Sequence, residues 1–433
     1  MRHPRGFVPS ALLLGCAALS ASCDERSSAP SAPRPLAPKA TAVSSAASKP
    51  PAPVAPRSEH PSDALSVSEI PDEERAAPQP SAQGTLPSKL IIDEAQEIGP
   101  AGQMSATEAG VVMINRSDEV QLAKHAPLVH SSRPERSRFS TIKGGANDFF
   151  AVARGPFLLR NKAYWVRDGK LVRRALDNST PLEILATDAR NGTRVAGAEL
   201  ADAPAHALYI SNPIADEAPR AKLWVESAQT VTVSPEGAGA SSIAVASTGQ
   251  DLFAVAIDAR SAMTPMHGRR IQFRAGKPEL DPDVVMWVGS TSQTLSEVFA
   301  ATTPLGVRAF LPIERDISHF GLVMLDLGST PHMDPKTVWR GYPNGIDVAP
   351  VASGSFCGSA FVAYVRPETA TPDAREVLEI AEITSTGLGP AERVDSASGF
   401  ANISLGAATT SAVLAYVADF RTFATTLRCT HPR

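Results

Sequence analysis

A basic surplus is missing from this 433-residue sequence: 41 lysines and arginines stand against 45 aspartates and glutamates, a formal net charge of −4. Neutralising a phosphate backbone takes an excess of clustered cations, so nucleic acid is excluded as a partner. Catalytic signatures are missing too. The sequence contains no His-Glu-x-x-His, Walker loop, dinucleotide fingerprint or Gly-x-Ser-x-Gly, so neither metal, cofactor nor catalytic residue is assigned. The apolar stretch nearest the N-terminus, Phe7 to Leu19, falls short of the ~20 residues that span a bilayer. Aromatic residues, 6% overall, are absent between Asp24 and Pro87.

What is present at the N-terminus has the order of an export signal. Arg2 and Arg5 precede the Phe7–Leu19 stretch, and the small residues Ser20, Ala21 and Ser22 lead to Cys23. This resembles the lipobox of bacterial lipoproteins, although Ser20 stands where that pattern prefers leucine. The resemblance implies cleavage before Cys23 and attachment of lipid to its sulfur. Cys16, after Leu13-Leu14-Gly15, fits the pattern locally but would leave a very short apolar region. The rival reading is an ordinary signal cut after Ala21 or Ser22. The resemblance places the chain in a bacterial cell envelope, at the periplasmic or outer surface, with a membrane reached through the lipid anchor.

Residues 1–22 are therefore expected to be a signal and 23–87 a disordered linker rich in Pro, Ala and Ser, as in Lys49-Pro50-Pro51-Ala52-Pro53. Such a composition cannot bury enough apolar area to offset chain entropy. Repeated proline favours an extended chain, reaching on the order of 190 Å for some sixty residues.

Residues 88–433 read differently. Short apolar runs recur: Val111–Ile114, Ala163–Val166, Ala207–Ile210, Leu252–Ile257, Gly321–Leu325, Phe361–Val365 and Val413–Val417. Each is too short for a typical helix and suits a strand buried on both faces. More alternating segments follow several of them, at Lys170–Arg174, Arg270–Arg274 and Val377–Glu382, and Ser242–Ser247 precedes one. The runs recur about every fifty residues, the length of one four-stranded propeller blade. The interval before Gly321 is too long and the next too short, which marks one blade as irregular. The last two units, about 346 to 430, resemble degenerate β-propeller repeats of secreted bacterial proteins. The expected fold is all-β, a propeller of about seven blades, with a pair of β-sandwich domains as the alternative.

Of four cysteines, Cys357 and Cys429 stay with this domain. In an oxidising compartment they are expected to form a disulfide closing about 72 residues, worth roughly 4 kcal/mol in the chain-entropy view; two buried free thiols are the alternative. Ser140-Thr141-Ile142-Lys143 matches Ser-x-x-Lys without its companion motifs. Asp188–Gly192 and Asp281-Pro282-Asp283 read as turns rather than calcium ligands. His206, His267, His319, His332 and His431 read as exposed loop residues, and Trp165, Trp224, Trp287 and Trp339 as packing. The functional expectation is a monomeric envelope module binding a protein or glycan. A glycan- or peptide-cleaving enzyme with its site at the central channel is the alternative.

Overall fold

A computed structural model describes residues 90–126, 138–149, 155–212, 217–258, 265–288, 294–295, 297–303, 306–316, 319–326, 336–340, 351–369, 375–384 and 387–429. The expected signal, Cys16, Cys23, the linker, His332 and His431 lie outside these residues. Two short strands come first, β1 (Leu90–Ile92) and β2 (Gln96–Pro100), and both belong to the final sheet. The first blade is β3 (Met104–Thr107), β4 (Gly110–Ile114), β5 (Val120–Ala126) and β6 (Arg138–Phe139). The second is β7 (Phe157–Leu159), β8 (Lys162–Arg167), β9 (Lys170–Ala175) and β10 (Glu183–Ala186). The third is β11 (His206–Ile210), β12 (Ala221–Val225) and β13 (Val231–Thr232). In the fourth, β14 (Ser242–Ser247), β15 (Leu252–Ile257), β16 (Pro265–Arg274) and β17 (Lys277–Leu280) are joined by β18 (Val284–Val288), which also pairs with β16.

In the fifth, β19 (Thr294–Leu295) and β20 (Phe299–Thr303) both pair with β21 (Gly306–Asp316), followed by β22 (His319–Asp326) and β23 (Lys336–Arg340). The sixth is β24 (Val351–Phe356), β25 (Ser359–Pro367), β26 (Glu376–Thr384) and β27 (Gly387–Ala397). The seventh is β28 (Phe400–Ala407), β29 (Ser411–Ala418) and β30 (Arg421–Cys429), completed by β1 and β2. The fold is all-β, a seven-bladed propeller. Its sheets are separate hydrogen-bonded units and meet through side chains.

The second strand of each blade explains the apolar runs. On β15, Phe253, Val255 and Ile257 pack toward the fifth blade, while Leu252, Ala254 and Ala256 pack toward the third. On β25, Val362 and Tyr364 face the fifth blade and Phe361, Ala363 and Val365 face the seventh. A strand alternates its side chains between two faces, so one held between two sheets needs apolar residues at every position. Similar clusters join the first blade to the second (Ile114 with Trp165), the second to the third (Tyr164 with Trp224) and the seventh to the first (Leu414 with Met113). This circuit excludes the two-sandwich alternative.

Two blades depart from the simple reading. In the third, the first strand is irregular: Ala196 and Leu208 exchange backbone hydrogen bonds at 2.9 and 2.7 Å, and Ala189 bridges Ser211. In the fifth, the run at Gly321–Leu325 lies on the third strand, β22, and the second strand is β21, where Val307, Ala309 and Phe310 are buried. Second strands thus begin at Gly110, Lys162, His206, Leu252, Gly306, Ser359 and Ser411, and the uneven intervals seen in the sequence disappear.

The last blade is fastened on both sides, to the chain's N-terminal strands and to the sixth blade. The N-terminal strands β1 and β2 add to the edge of β30, with Leu90 opposite Cys429 and Pro100 opposite Arg421. Cys357, in the turn between β24 and β25, forms a disulfide with Cys429, Cα to Cα 5.8 Å. Replacing both cysteines with serine is expected to lower unfolding free energy by about 2–4 kcal/mol, read from guanidinium midpoints against wild type.

Candidate functional site

The axial channel is the first place to look, because a propeller gathers its innermost strands there. Innermost strands of neighbouring blades touch: β14 with β20, β20 with β24, β24 with β28, and β28 with β3. Their sequences are rich in Ala, Ser, Gly and Thr. Small residues permit close approach. A Cβ on Gly406 would lie 2.4 Å from the Thr107 backbone, and one on Gly155 would lie 1.5 Å from the Met104 carbonyl oxygen. Hydroxyls then bridge from blade to blade. Thr302 donates to the Ser247 carbonyl at 2.5 Å, Ser355 to the Thr302 carbonyl at 2.7 Å, and the Ala106 amide to Ser404 at 2.9 Å; Ser105 donates to the Pro156 carbonyl.

One cation crosses this region. Arg194 lies in the irregular first strand of the third blade, and its guanidinium carbon sits 4.7 Å from the ring centre of Phe299 on β20 of the fifth. The fourth blade separates those two in the ring, so the contact joins blades that are not neighbours. A cation over an aromatic face is worth roughly 0.5–2 kcal/mol. Among the described residues no group of three His, Cys, Asp or Glu is placed to hold a metal ion.

The rims follow from the strand order, since successive turns of an antiparallel sheet alternate ends. Leu90, Cys429 and the Cys357 turn share one rim, where the Cys357 amide donates to the Thr409 carbonyl at 2.8 Å. The opposite rim carries the turns between second and third strands and the links between blades. There Arg116 N–H reaches the Asp148 carbonyl at 2.8 Å, Gly169 N–H reaches Asn191 Oδ1 at 2.8 Å, and Ala240 N–H reaches the Pro219 carbonyl at 2.7 Å. Phe420 stands on this rim, 87% exposed.

Several buried polar groups within and between blades pair with one another. Tyr209 Oη donates to Asp188 Oδ1 at 2.9 Å, and Lys222 Nζ pairs with Asp188 Oδ2 at 2.6 Å. Tyr416 Oη donates to Asp395 Oδ2 at 2.6 Å. Both join a second-strand tyrosine to a carboxylate 21 residues earlier: Asp395 lies on the last strand of the sixth blade, whereas Asp188 opens the third blade's own first strand, its carbonyl accepting the Asn212 amide. Burial and the carboxylate both push these tyrosines' pKa values up, so the neutral donor is the form held. Asp188 goes the other way: burial alone would raise it, but Lys222 and Tyr209 outweigh that and lower it. Arg173, 6% exposed, lies between Glu183 (2.7 Å) and Glu226 (2.9 Å), 5.0 Å from the Trp224 ring centre. That arrangement links the second and third blades and keeps a buried cation paired.

These contacts settle several sequence expectations. Asp188 and Asn191 hold the fold's own groups. The Ser140 hydroxyl accepts the Lys124 amide at 2.8 Å, and Lys143 is exposed, so Ser-x-x-Lys forms no catalytic pair. His206 and His267 are not exposed loop residues, because both lie on strands packed against neighbouring blades. His206 is buried between the Pro204 and Ala198 carbonyls, each 2.8 Å from a ring nitrogen. His267 Nδ1 pairs with Asp283 Oδ2 at 2.7 Å beside a water-sized void lined also by Ser234 and Arg269. Trp165 and Trp224 pack between blades; Trp287 and Trp339 lie on β18 and β23, and His319 on β22.

No protein-family model and no curated protein matches the sequence. Solved structures that it resembles include the N-terminal domain of Nup159, at 7% identity over 78% of this chain and 95% of that one, TM-score 0.46. A fungal lectin from Aleuria aurantia, described as a six-bladed propeller with a novel fucose recognition mode, matches at 11% over 77% and 92%, TM-score 0.35. A prolyl endopeptidase matches at 13% over 76% of this chain and 46% of its own, TM-score 0.40. At such identities and scores these likenesses carry no argument about activity.

Tyr416→Phe and Tyr209→Phe are each expected to destabilise by about 1–2 kcal/mol, because a carboxylate loses a buried donor; chemical denaturation reads this. For His206, burial lowers the pKa more than the two carbonyls raise it. The folded state therefore binds its proton less readily than the unfolded chain does. Stability from this group is complete above the ordinary value of 6.5 and is lost as pH falls below it. Midpoints measured from neutral to acid pH should show that loss diminished in His206→Gln.

Proposed function

We propose that this chain is a tethered binding or scaffold module of a bacterial cell envelope, lipid-anchored through Cys23, that meets a protein or glycan partner as a monomer. The observation that carries this reading is the polarity of the ring. The first described strand enters beside Cys429, so a tether meets the domain on one rim and leaves the turns of the opposite, outward rim clear of it. The outward rim carries loops held to one another by backbone hydrogen bonds, a rigid frame suited to presenting side chains. The channel supports the same reading. Inner-strand hydroxyls of Thr302 and Ser355 are committed between blades, and Arg194 of the third blade reaches Phe299 of the fifth.

Two measurements test the proposal. Metabolic labelling with an alkyne palmitate should tag the wild-type chain and leave Cys23→Ser unlabelled. Equal labelling of the two would overturn the anchor. Photo-crosslinkers at Asn147 and Glu236, exposed on the outward rim, should capture envelope material, whereas one at Ser179 on the other rim should not. Equal capture from both rims would overturn the polarity argument.

A further inference from the structure

Several turns in this domain place two successive residues at positive φ: Arg160-Asn161, Asp168-Gly169, Ala275-Gly276, Cys357-Gly358 and Asp419-Phe420. In four of them the second residue is glycine or asparagine, which tolerate that conformation. In the fifth it is Phe420, at φ 63°. A bulky aromatic is an outlier there. The domain gains no packing in return, because Phe420 is 87% exposed. Backbone strain kept without a packing gain clusters at ligand-contacting positions, which makes this ring a candidate contact for a partner.

The surroundings of Phe420 indicate what that is. Asp419 beside it is fixed by Ser398, whose amide donates to Oδ1 at 3.2 Å and whose hydroxyl donates to the same oxygen. Asp419 Oδ2 has no hydrogen-bond partner among the described residues. Arg421 and Glu97 form an exposed pair at 3.2 Å on the adjoining strands. The patch is therefore one aromatic ring, one prepositioned carboxylate oxygen and a polar border.

We infer that Phe420 and Asp419 form a carbohydrate contact on the outward rim, with a pyranose C–H face laid on the Phe420 ring and a sugar hydroxyl donating to Asp419 Oδ2. This rests on the binding-module reading above and assigns its partner class. A pyranose has an apolar face bordered by hydroxyls, so an isolated aromatic flanked by an open carboxylate complements it. A stable protein interface buries about 800 Å² on each side around a cluster of apolar anchors, and the border of Phe420 is charged.

The test is saturation-transfer NMR on the purified chain with chitotriose, methyl β-galactopyranoside and methyl α-mannopyranoside. At least one sugar should receive saturation from wild type. Phe420→Gly should weaken that binding at least about tenfold, while its thermal midpoint stays equal or rises, because glycine accepts the turn. Phe420→Trp should keep binding, and Asp419→Asn should weaken it. Absence of transfer to all three sugars, or undiminished transfer to Phe420→Gly, overturns the assignment. A protein crosslinked from position 420 without sugar binding would also overturn it while leaving the binding-module reading intact. Failure of both the sugars and the rim crosslinkers would remove both.

Discussion

The architecture depends on strands that are buried on both faces at once. A sheet covered on one side can alternate apolar and polar residues, but a blade pressed between two others cannot. The second strands β4, β8, β15, β25 and β29 accordingly carry almost no polar side chains. Full burial of such a side chain contributes roughly 1.5–3 kcal/mol, and each strand contributes to two interfaces. No blade has a core of its own, so the seven sheets stand or fall together.

A ring built this way must be closed somewhere. Here closure joins the two ends of the domain: β1 and β2 supply the outer strand that β30 would otherwise lack, and the disulfide fastens β30 to the sixth blade at the same rim. Hydrogen bonding therefore protects an edge that would otherwise invite pairing with another chain. The fastening also coincides with the point where the expected linker joins, so pulling on that linker would act on the most heavily braced part of the ring.

Several polar residues join one blade to the next. The Tyr416–Asp395 pair, the Arg173 group and the inner hydroxyls each bridge sheets that share no backbone ladder. Phe420 is the one large apolar side chain among the described residues that is exposed on a turn at a conformational cost.

Much of the fold was legible in the sequence, because two-sided burial writes itself as short unbroken apolar runs, and the runs at 111, 163, 207, 252, 361 and 413 all mark second strands. The run at 321 misled because β22 is as apolar as its neighbours, while β21 carries Arg308 and Pro312 among its residues. The repeated spacing of 21 between Asp188 and Tyr209, and between Asp395 and Tyr416, was open to reading but acquires meaning only when the strands that carry them are placed side by side in space. His206 and His267 could not be told from surface histidines, since burial depends on which sheet comes to lie opposite. Composition and periodicity thus determined the strands and their class. Only the tertiary structure decided which blades meet, which turns share a rim and which aromatic is left in water, because those are contacts between residues far apart in the chain, and local pattern does not encode them.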